Sequence, residues 1–540
     1  MSRGRQDDVY GNPASLCLVT DDLGHLDPDW AVGRYCRGQA HLPPRQAWRV
    51  HVLYCGAGLA PEALSDVALR LGEAGIGFSC LTDWEMPPSL DVAATNHPLI
   101  HQSDRVRHAL GELDRQHPLE VVEFAGCASL GFRTMQARQA GLAFAGVRTI
   151  VRLDASSQWL REANQRYVEH PDDLEVDYAE RYAFEHADVQ TSPSRPILEY
   201  VQKMGWEVRE EARVMPAPLA EPGFLMGSRD PAPAPVAEDG QLVTVAVPYY
   251  NLGAYLPQAL ASLAAQTYPH LEVLVIDDGS TDGDALQVFA EQQRRYPGFR
   301  FLSQANAGIG ATRNRGLREA RGEYFIPMDA DNIALPHMVE RFVRALRRNP
   351  GLAAMTCYFL AFRQTEDLAQ QDYAYAYRPT GGPHVLASMK NVYGDANAIF
   401  RTAAFRAVGG YETDRDTSWE DWEAFVKLVN AGHRIDVIPD YLFYYRHLEN
   451  GFSRATRTYR NHQRVLRQFF AIDQLPRTER AALWTALAGL HRRVEELSGS
   501  NQALRIRGQA LRYRIVDKLL APFGRVPLVK EGIKWLLRAS

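Results

Sequence analysis

The chain has 540 residues, 46% of them apolar and 23% charged, with a formal net charge of −5. That is enough apolar material for about three packed domains, and it excludes intrinsic disorder and fibrous repeats. The lack of a basic excess argues against a nucleic-acid partner.

Six scattered cysteines, Cys17, Cys36, Cys55, Cys80, Cys127 and Cys357, form no C-x-x-C pair and read as packed thiols of a reducing compartment. Residues 1–10 are polar, without the apolar core of a secretory signal, and no run of 18 uninterrupted apolar residues follows. The expected localisation is therefore cytoplasmic, without a membrane span.

In chain order, short apolar runs at Leu16 to Thr20, Arg49 to Tyr54, Leu119 to Phe124 and Val147 to Leu153 alternate with helix-like stretches, including Gln136 to Leu142 and Asp177 to His186. Such alternation predicts a parallel α/β domain over about residues 9–220. Residues 221–240, EPGFLMGSRDPAPAPVAEDG, have the composition of a semi-rigid linker. The α/β rhythm then restarts over 241–475, with strands Leu242 to Pro248, Leu271 to Ile276 and Tyr324 to Met328. Helices are predicted at Leu256 to Gln266, Asp284 to Arg295, Pro336 to Arg348 and Trp422 to Ala431, with a long polar and aromatic loop before the last. Residues 476–540 read as helical, and from Asn501 to Ser540 the net charge is +7. This tail is either a helix packed on its own protein or a basic amphipathic element in peripheral contact with a membrane.

Ligands of parallel sheets sit outside the carboxyl ends of the strands, so the loops after the strands carry the functional signal. The first strand of the second domain ends Val247-Pro248-Tyr249-Tyr250-Asn251, and the next ends Asp277-Asp278-Gly279-Ser280-Thr281-Asp282. These residues suit hydrogen bonding to a base and ribose, and equally an Asp-Gly turn with a helix cap. The segment Asn306-Ala307-Gly308-Ile309-Gly310-Ala311-Thr312-Arg313 is a small-residue entry into a helix, where amides and a guanidinium can hold a diphosphate. It is neither a dinucleotide fingerprint nor a P-loop. Asp329-Ala330-Asp331 follows a strand directly, and residues two apart in extended chain project to one side. Two convergent carboxylates suit Mg²⁺ or Mn²⁺ better than zinc, or else an acidic turn capping the next helix. Ser418-Trp419-Glu420-Asp421 opens a helix, where Asp421 serves either a capping box with Ser418 or as a general base.

Read in order, these motifs with Gly409-Gly410-Tyr411 resemble an inverting family 2 glycosyltransferase of the GT-A fold, over about Leu242 to Arg454. The resemblance implies a nucleotide-diphosphate sugar donor bound by Pro248, Tyr250, Asn251, Asp277, Asp278, Ser280, Asn306, Gly308, Arg313 and Asp329. Asp277 or Asp278 would lie near the base, Arg313 near the diphosphate, and Asp329 on the ribose or the metal. Asp331 would be the principal ligand of Mn²⁺ or Mg²⁺, and His447, in the late Tyr445-Arg446-His447 segment, a candidate for metal or phosphate. Asp421 is the implied catalytic base and Glu420 the next choice. The Gln-x-x-Arg-Trp motif of processive members is absent from the chain, which points to one sugar, or a short defined number, per acceptor.

Residues 9–220 resemble the N-terminal Rossmann-like half of a family 4, GT-B glycosyltransferase, through Leu16 to Thr20, Val121 to Phe124, Thr149 to Trp159 and Ala187 to Ser194. The donor-binding half of that family does not follow, so this part is expected either to bind acceptor, with Arg152, Asp154, Ser156, Ser157 and Trp159 at a strand end, or to orient its neighbour. The expected function is metal-dependent transfer of a sugar to a hydroxyl of a glycan or lipid-linked acceptor in surface polysaccharide synthesis. Two other classes, a sugar-nucleotide pyrophosphorylase and a non-catalytic glycan-binding scaffold, are opposed respectively by Pro248-Tyr249-Tyr250-Asn251 in place of a glycine-rich loop and by the intact Asp329, Asp331 and Asp421.

Overall fold

The computed structural model describes residues 14–21, 48–215, 240–448 and 458–469, apart from positions 57, 58, 74, 94, 95, 126, 127, 167 and 169. The linker except Gly240, the basic tail, Cys36, Cys127 and the polar N-terminus lie outside the described residues. Met1–Ala455 forms one unit and Thr456–Ser540 a second, in which the helix Thr458–Phe469 is described. Among the described residues no helix is long and apolar enough to cross a membrane.

Within the first unit the strands build two sheets. Strands β1 (Ala14–Thr20), β2 (Trp48–Tyr54), β3 (Gly77–Cys80), β4 (Val121–Ala125), β5 (Arg148–Arg152), β6 (Val189–Ser192) and β7 (Arg213–Val214) run parallel in the order β3-β2-β1-β4-β5-β6-β7. The strand order reverses direction between β1 and β4, as in Rossmann-like folds. Helices such as Pro98–Gln116 and Asp173–His186 cover the sheet, so β4 is buried along its whole length and shows no alternation. The expected parallel α/β architecture is thus present, although the helix expected at Gln136 to Leu142 runs from Phe132 to Gln139.

The second sheet contains β8 (Val243–Tyr249), β9 (Leu271–Asp277), β10 (Arg300–Ser303), β11 (Tyr324–Pro327), β12 (Ile333–Ala334), β13 (Leu352–Phe362), β14 (Tyr375–Tyr377), β15 (Ile399–Arg401) and β16 (Arg434–Arg446). Its order is β10-β9-β8-β11-β15-β13-β16-β12, with β14 paired to β13. The first four strands are parallel, and β15 turns the sheet by pairing antiparallel to both β11 and β13. The helix Leu256–Ala264 places Leu256, Ala259, Leu260 and Leu263 on this core, one stripe at helical spacing.

The long loop expected between Arg348 and Trp422 is corrected by the structure, which places β13, β14 and β15 inside it. All eleven residues of β13 are buried. A strand covered on both faces loses the two-residue alternation that marks a half-exposed one.

The two sheet layers meet through buried polar groups. Arg133, fully buried, donates to the carbonyls of Arg378 and Pro379. Gln136 donates to Thr380 O and Asp436, and the Tyr182 hydroxyl donates to Asp436 at 2.6 Å. Arg378 in turn donates to Ser89 O, Leu90 O and the Tyr441 hydroxyl.

Candidate active site

Because β8, β9 and β11 are parallel and in register, with Tyr249 opposite Asp277 and Pro327 opposite Ala246, their carboxyl ends share one edge. A cavity of about 890 Å³ opens there. It is lined by Pro248, Tyr250, Asp278, Asn306, Gly308, Arg313, Asp329, Asp331, Glu420, Asp421 and His447, eleven of the fourteen residues singled out in the sequence. Asn251, Asp277 and Ser280 are not on its wall.

Those three residues build the loop behind the wall. Asp277 Oδ1 accepts the Ser280 amide at 3.0 Å, Ser280 Oγ accepts the Asn251 amide, and Asn251 Oδ1 accepts the amides of Thr281 and Asp282. Asp278, 4% exposed, accepts from Gln304 Nε2, Ala307 N and Gly308 N at 2.7, 2.9 and 2.8 Å. The Ala307 and Gly308 amides thus bond a carboxylate of the protein, and the carboxylates of Asp277 and Asp278 accept hydrogen bonds from the loop.

Arg313 has two carboxylate partners. Its helix, Ile309–Glu319, packs close to β8, and the side chain is 2% exposed. Nη1 donates to Glu420 Oε1 at 2.5 Å and Nη2 to Asp329 Oδ1 at 2.6 Å. These two bonds set the Arg313 guanidinium against the acidic wall of the cavity. Gly409-Gly410-Tyr411 supports this arrangement. Gly410 has φ of +64°, and a Cβ there would stand 2.4 Å from Asn314 Oδ1. Free of that clash, Asn314 exchanges two hydrogen bonds with the Tyr411 backbone. The Tyr411 ring then lies 5.4 Å from the Arg313 guanidinium.

The helix Glu420–Asn430 begins after Trp419 rather than after Ser418, and Trp419 takes a left-handed φ of +71°. Asp421 Oδ1 accepts the Trp422 amide at 2.7 Å, and the Trp422 indole donates to Ala387 O. Burial, then the neighbouring Glu420 carboxylate, push Asp421 up to about 7, against a partial lowering by Arg313. Asp331 is likewise pushed up to about 7, by burial first and by Asp329 second.

Asp329 is held by its own amide, which donates to Asn397 Oδ1. His447 lines the same cavity, its ring edge-on to Tyr375 at 5.5 Å. Among the described residues no three His, Cys, Asp or Glu side chains are arranged to hold a metal by themselves. Two carboxylates in one cavity nevertheless fit a hard cation that takes its remaining ligands from water and substrate phosphates. Sequence reasoning missed Asp395, which lines the cavity from the segment between η-turn His384–Ser388 and β15. Burial, and then the nearby Asp421 and Asp329, hold its carboxyl well above the usual range. No strand or motif preceded it to mark it.

In the first layer, Arg152, Asp154, Ser156, Ser157 and Trp159 are tied to their surroundings. Arg152 pairs with Asp154 at 2.8 Å, Ser156 caps Trp159 N, and Ser157 donates from both its amide and hydroxyl to Glu180.

The acidic cavity lies at the carboxyl edge of the sheet, where α/β proteins bind their ligands. Residues 244–409 match the family described as Glycosyl transferase family 2. Chondroitin synthase from Escherichia coli is 38% identical over 114 residues, 21% of this chain and 16% of that protein. The uncharacterized glycosyltransferase YibD of Escherichia coli (strain K12) is 34% identical over 139 residues, 26% of this chain and 36% of that protein. The chain thus spans well under two thirds of the length of these relatives. Among solved structures, the mannosyltransferase PcManGT from Pyrobaculum calidifontis in complex with GDP-Man and Mn2+ is similar at 19% identity and a TM-score of 0.37, over 55% of this chain and 85% of that chain.

Proposed function

We propose that the chain is a metal-dependent, inverting glycosyltransferase that moves a sugar from a nucleotide-diphosphate sugar to a hydroxyl of a glycan or lipid-linked acceptor, in cytoplasmic synthesis of a surface polysaccharide. The observation that carries this reading is the gathering of Asp329, Asp331 and Asp421 on the wall of one cavity from two separate elements.

Asp421 accepts the proton of the attacking acceptor hydroxyl as its oxygen bonds the anomeric carbon. The bond to the diphosphate breaks on the opposite face, so configuration inverts. A carboxyl pushed up to about 7 suits a base that works near neutral pH. Arg313 pairs with Glu420 and Asp329 and orients them around this centre. Tyr250, 43% exposed at the cavity wall, offers a ring face to a base. Asp329 and Asp331, with His447 nearby, are the residues that would hold Mn²⁺ or Mg²⁺. A bound divalent ion there offsets the charge that develops on the leaving diphosphate.

The internal satisfaction of the Arg152 to Trp159 cluster favours an orienting role for the first layer over direct acceptor binding. Incubation with a panel of nucleotide sugars, following Mn²⁺-dependent nucleotide release with and without glycan acceptors, tests the reading. No release from any donor would overturn it.

A further inference from the structure

One wall of the cavity has no part in the chemistry described so far. Phe359, Tyr375, Tyr377 and Tyr445 all line it, with ring centroids of the three tyrosines 6.1, 5.2 and 4.8 Å from that of Phe359. Beside this aromatic surface stands Asp395.

The segment that presents Asp395 is braced from several directions. Asn391 Oδ1 accepts the amides of Tyr393 and Gly394, and its Nδ2 donates back to Gly394 O. The Tyr377 hydroxyl donates to Asn391 O at 2.8 Å, and Thr356 Oγ1 donates to Tyr393 O. Gly394 is required by this packing, since its φ is +147° and a Cβ would meet Thr356 Cβ at 2.6 Å. Asp395 Oδ1 accepts the Asn397 amide at 3.0 Å, and Asn397 Oδ1 accepts the Asp329 amide. Asp395 is therefore held in fixed relation to Asp329, while Lys390, just before the segment, pairs with Asp172 and Glu175 of the first layer.

We propose that Asp395 and the neighbouring tyrosines form a pyranose subsite, in which the Asp395 carboxyl group accepts hydrogen bonds from sugar hydroxyls and the aromatic wall receives the apolar face of the ring. The proposal rests on the glycosyltransferase reading above and names the residue that selects the sugar. The oxygens of a carboxyl group accept hydrogen bonds from O–H donors whether or not it carries a proton, and a proton on it adds a donor toward a sugar oxygen. A pyranose brings several hydroxyls and an apolar face together on one ring. The position suits it, because Asp329 and Asp421, the residues proposed to hold the metal and to act as base, line the same cavity. The ring bound there belongs to the donor or to the acceptor, and the two are separable by experiment.

Full-length wild type, Asp395→Asn and Asp395→Ser are titrated with UDP-GlcNAc, GDP-mannose, UDP and GDP in the presence of Mn²⁺. Nucleotide release is then followed with p-nitrophenyl pyranosides as acceptors. If the ring is the donor's, both variants lose at least about tenfold in affinity for the nucleotide sugar that wild type binds, with affinity for the matching nucleotide unchanged within about twofold. If it is the acceptor's, donor affinity stays and the KM for the pyranoside rises at least about tenfold. Indifference of both quantities overturns the subsite while leaving the enzyme reading intact. Equal losses for sugar nucleotide and free nucleotide, or a loss of Mn²⁺ affinity, overturn it too, since they make Asp395 a scaffold or metal residue. A wild-type chain that binds none of the four probes overturns the parent reading and the subsite with it.

Discussion

Arg313 donates to Asp329 at 2.6 Å from a position 16 residues earlier in the chain, and the same guanidinium reaches Glu420. Removing the cation strands two carboxylates, one of them 6% exposed. Arg313→Met is expected to cost about 3–5 kcal/mol, measured by urea unfolding. Adding Glu420→Gln to that variant should recover part of the loss, because the residues are directly coupled.

Asp421→Asn keeps the shape of the side chain and removes the base. Transfer should fall by about 10²–10⁴-fold while UDP or GDP binding, measured by titration calorimetry, stays near wild type. Full transfer by this variant would leave Asp421 a purely structural residue of its helix.

The raised Asp421 carboxyl also sets a pH dependence. A base works only when deprotonated, so transfer should climb as pH rises toward about 7 and level off above it. For stability the sign runs the other way. Between the ordinary value of 3.8 and about 7 the folded chain retains a proton that the unfolded chain has released, so this group's contribution falls as pH rises through that window. Asp421→Asn should flatten that part of both profiles, read from kcat/KM and from unfolding midpoints against pH.

Asp331 is pushed up by burial and by Asp329, so at pH 8 without metal its charge opposes folding. Asp331→Ala should raise the unfolding midpoint under those conditions and abolish Mn²⁺ stimulation of donor hydrolysis. A lowered midpoint with stimulation intact would remove Asp331 from the metal-binding set.

Buried bonds between the two layers carry a further prediction. Residues 240–540 alone would lose the Tyr182 and Gln136 partners of Asp436 and the Ser89 and Leu90 carbonyls that hold Arg378. The truncated chain should not show a cooperative urea transition, because buried polar groups left without partners each cost about 1–3 kcal/mol. Arg133→Met in the full chain should destabilise in the same direction.

Much of the candidate site was legible before the fold. Asp329 and Asp331 announced themselves by following a strand at a spacing of two, and Asp421 by opening a helix in an acidic cluster. Other contacts at the site were not legible: Asp278 and the Ala307 and Gly308 amides, in separate segments, bond each other across 29 and 30 residues. Asp395 left no trace, since what makes it functional is the braced turn around it and not a pattern beside it.

The order of apolar strands and helices, and the carboxylates at strand ends, follow from periodicity and local backbone geometry, so the chain's linear pattern was sufficient to specify a parallel α/β architecture and most of the cavity's acidic residues. Partner choice was settled only in three dimensions. Whether Arg313 meets a phosphate or two carboxylates, and whether Arg378 and Asp436 face water or another layer, depends on contacts between segments far apart in the chain, whose energies no local spacing encodes.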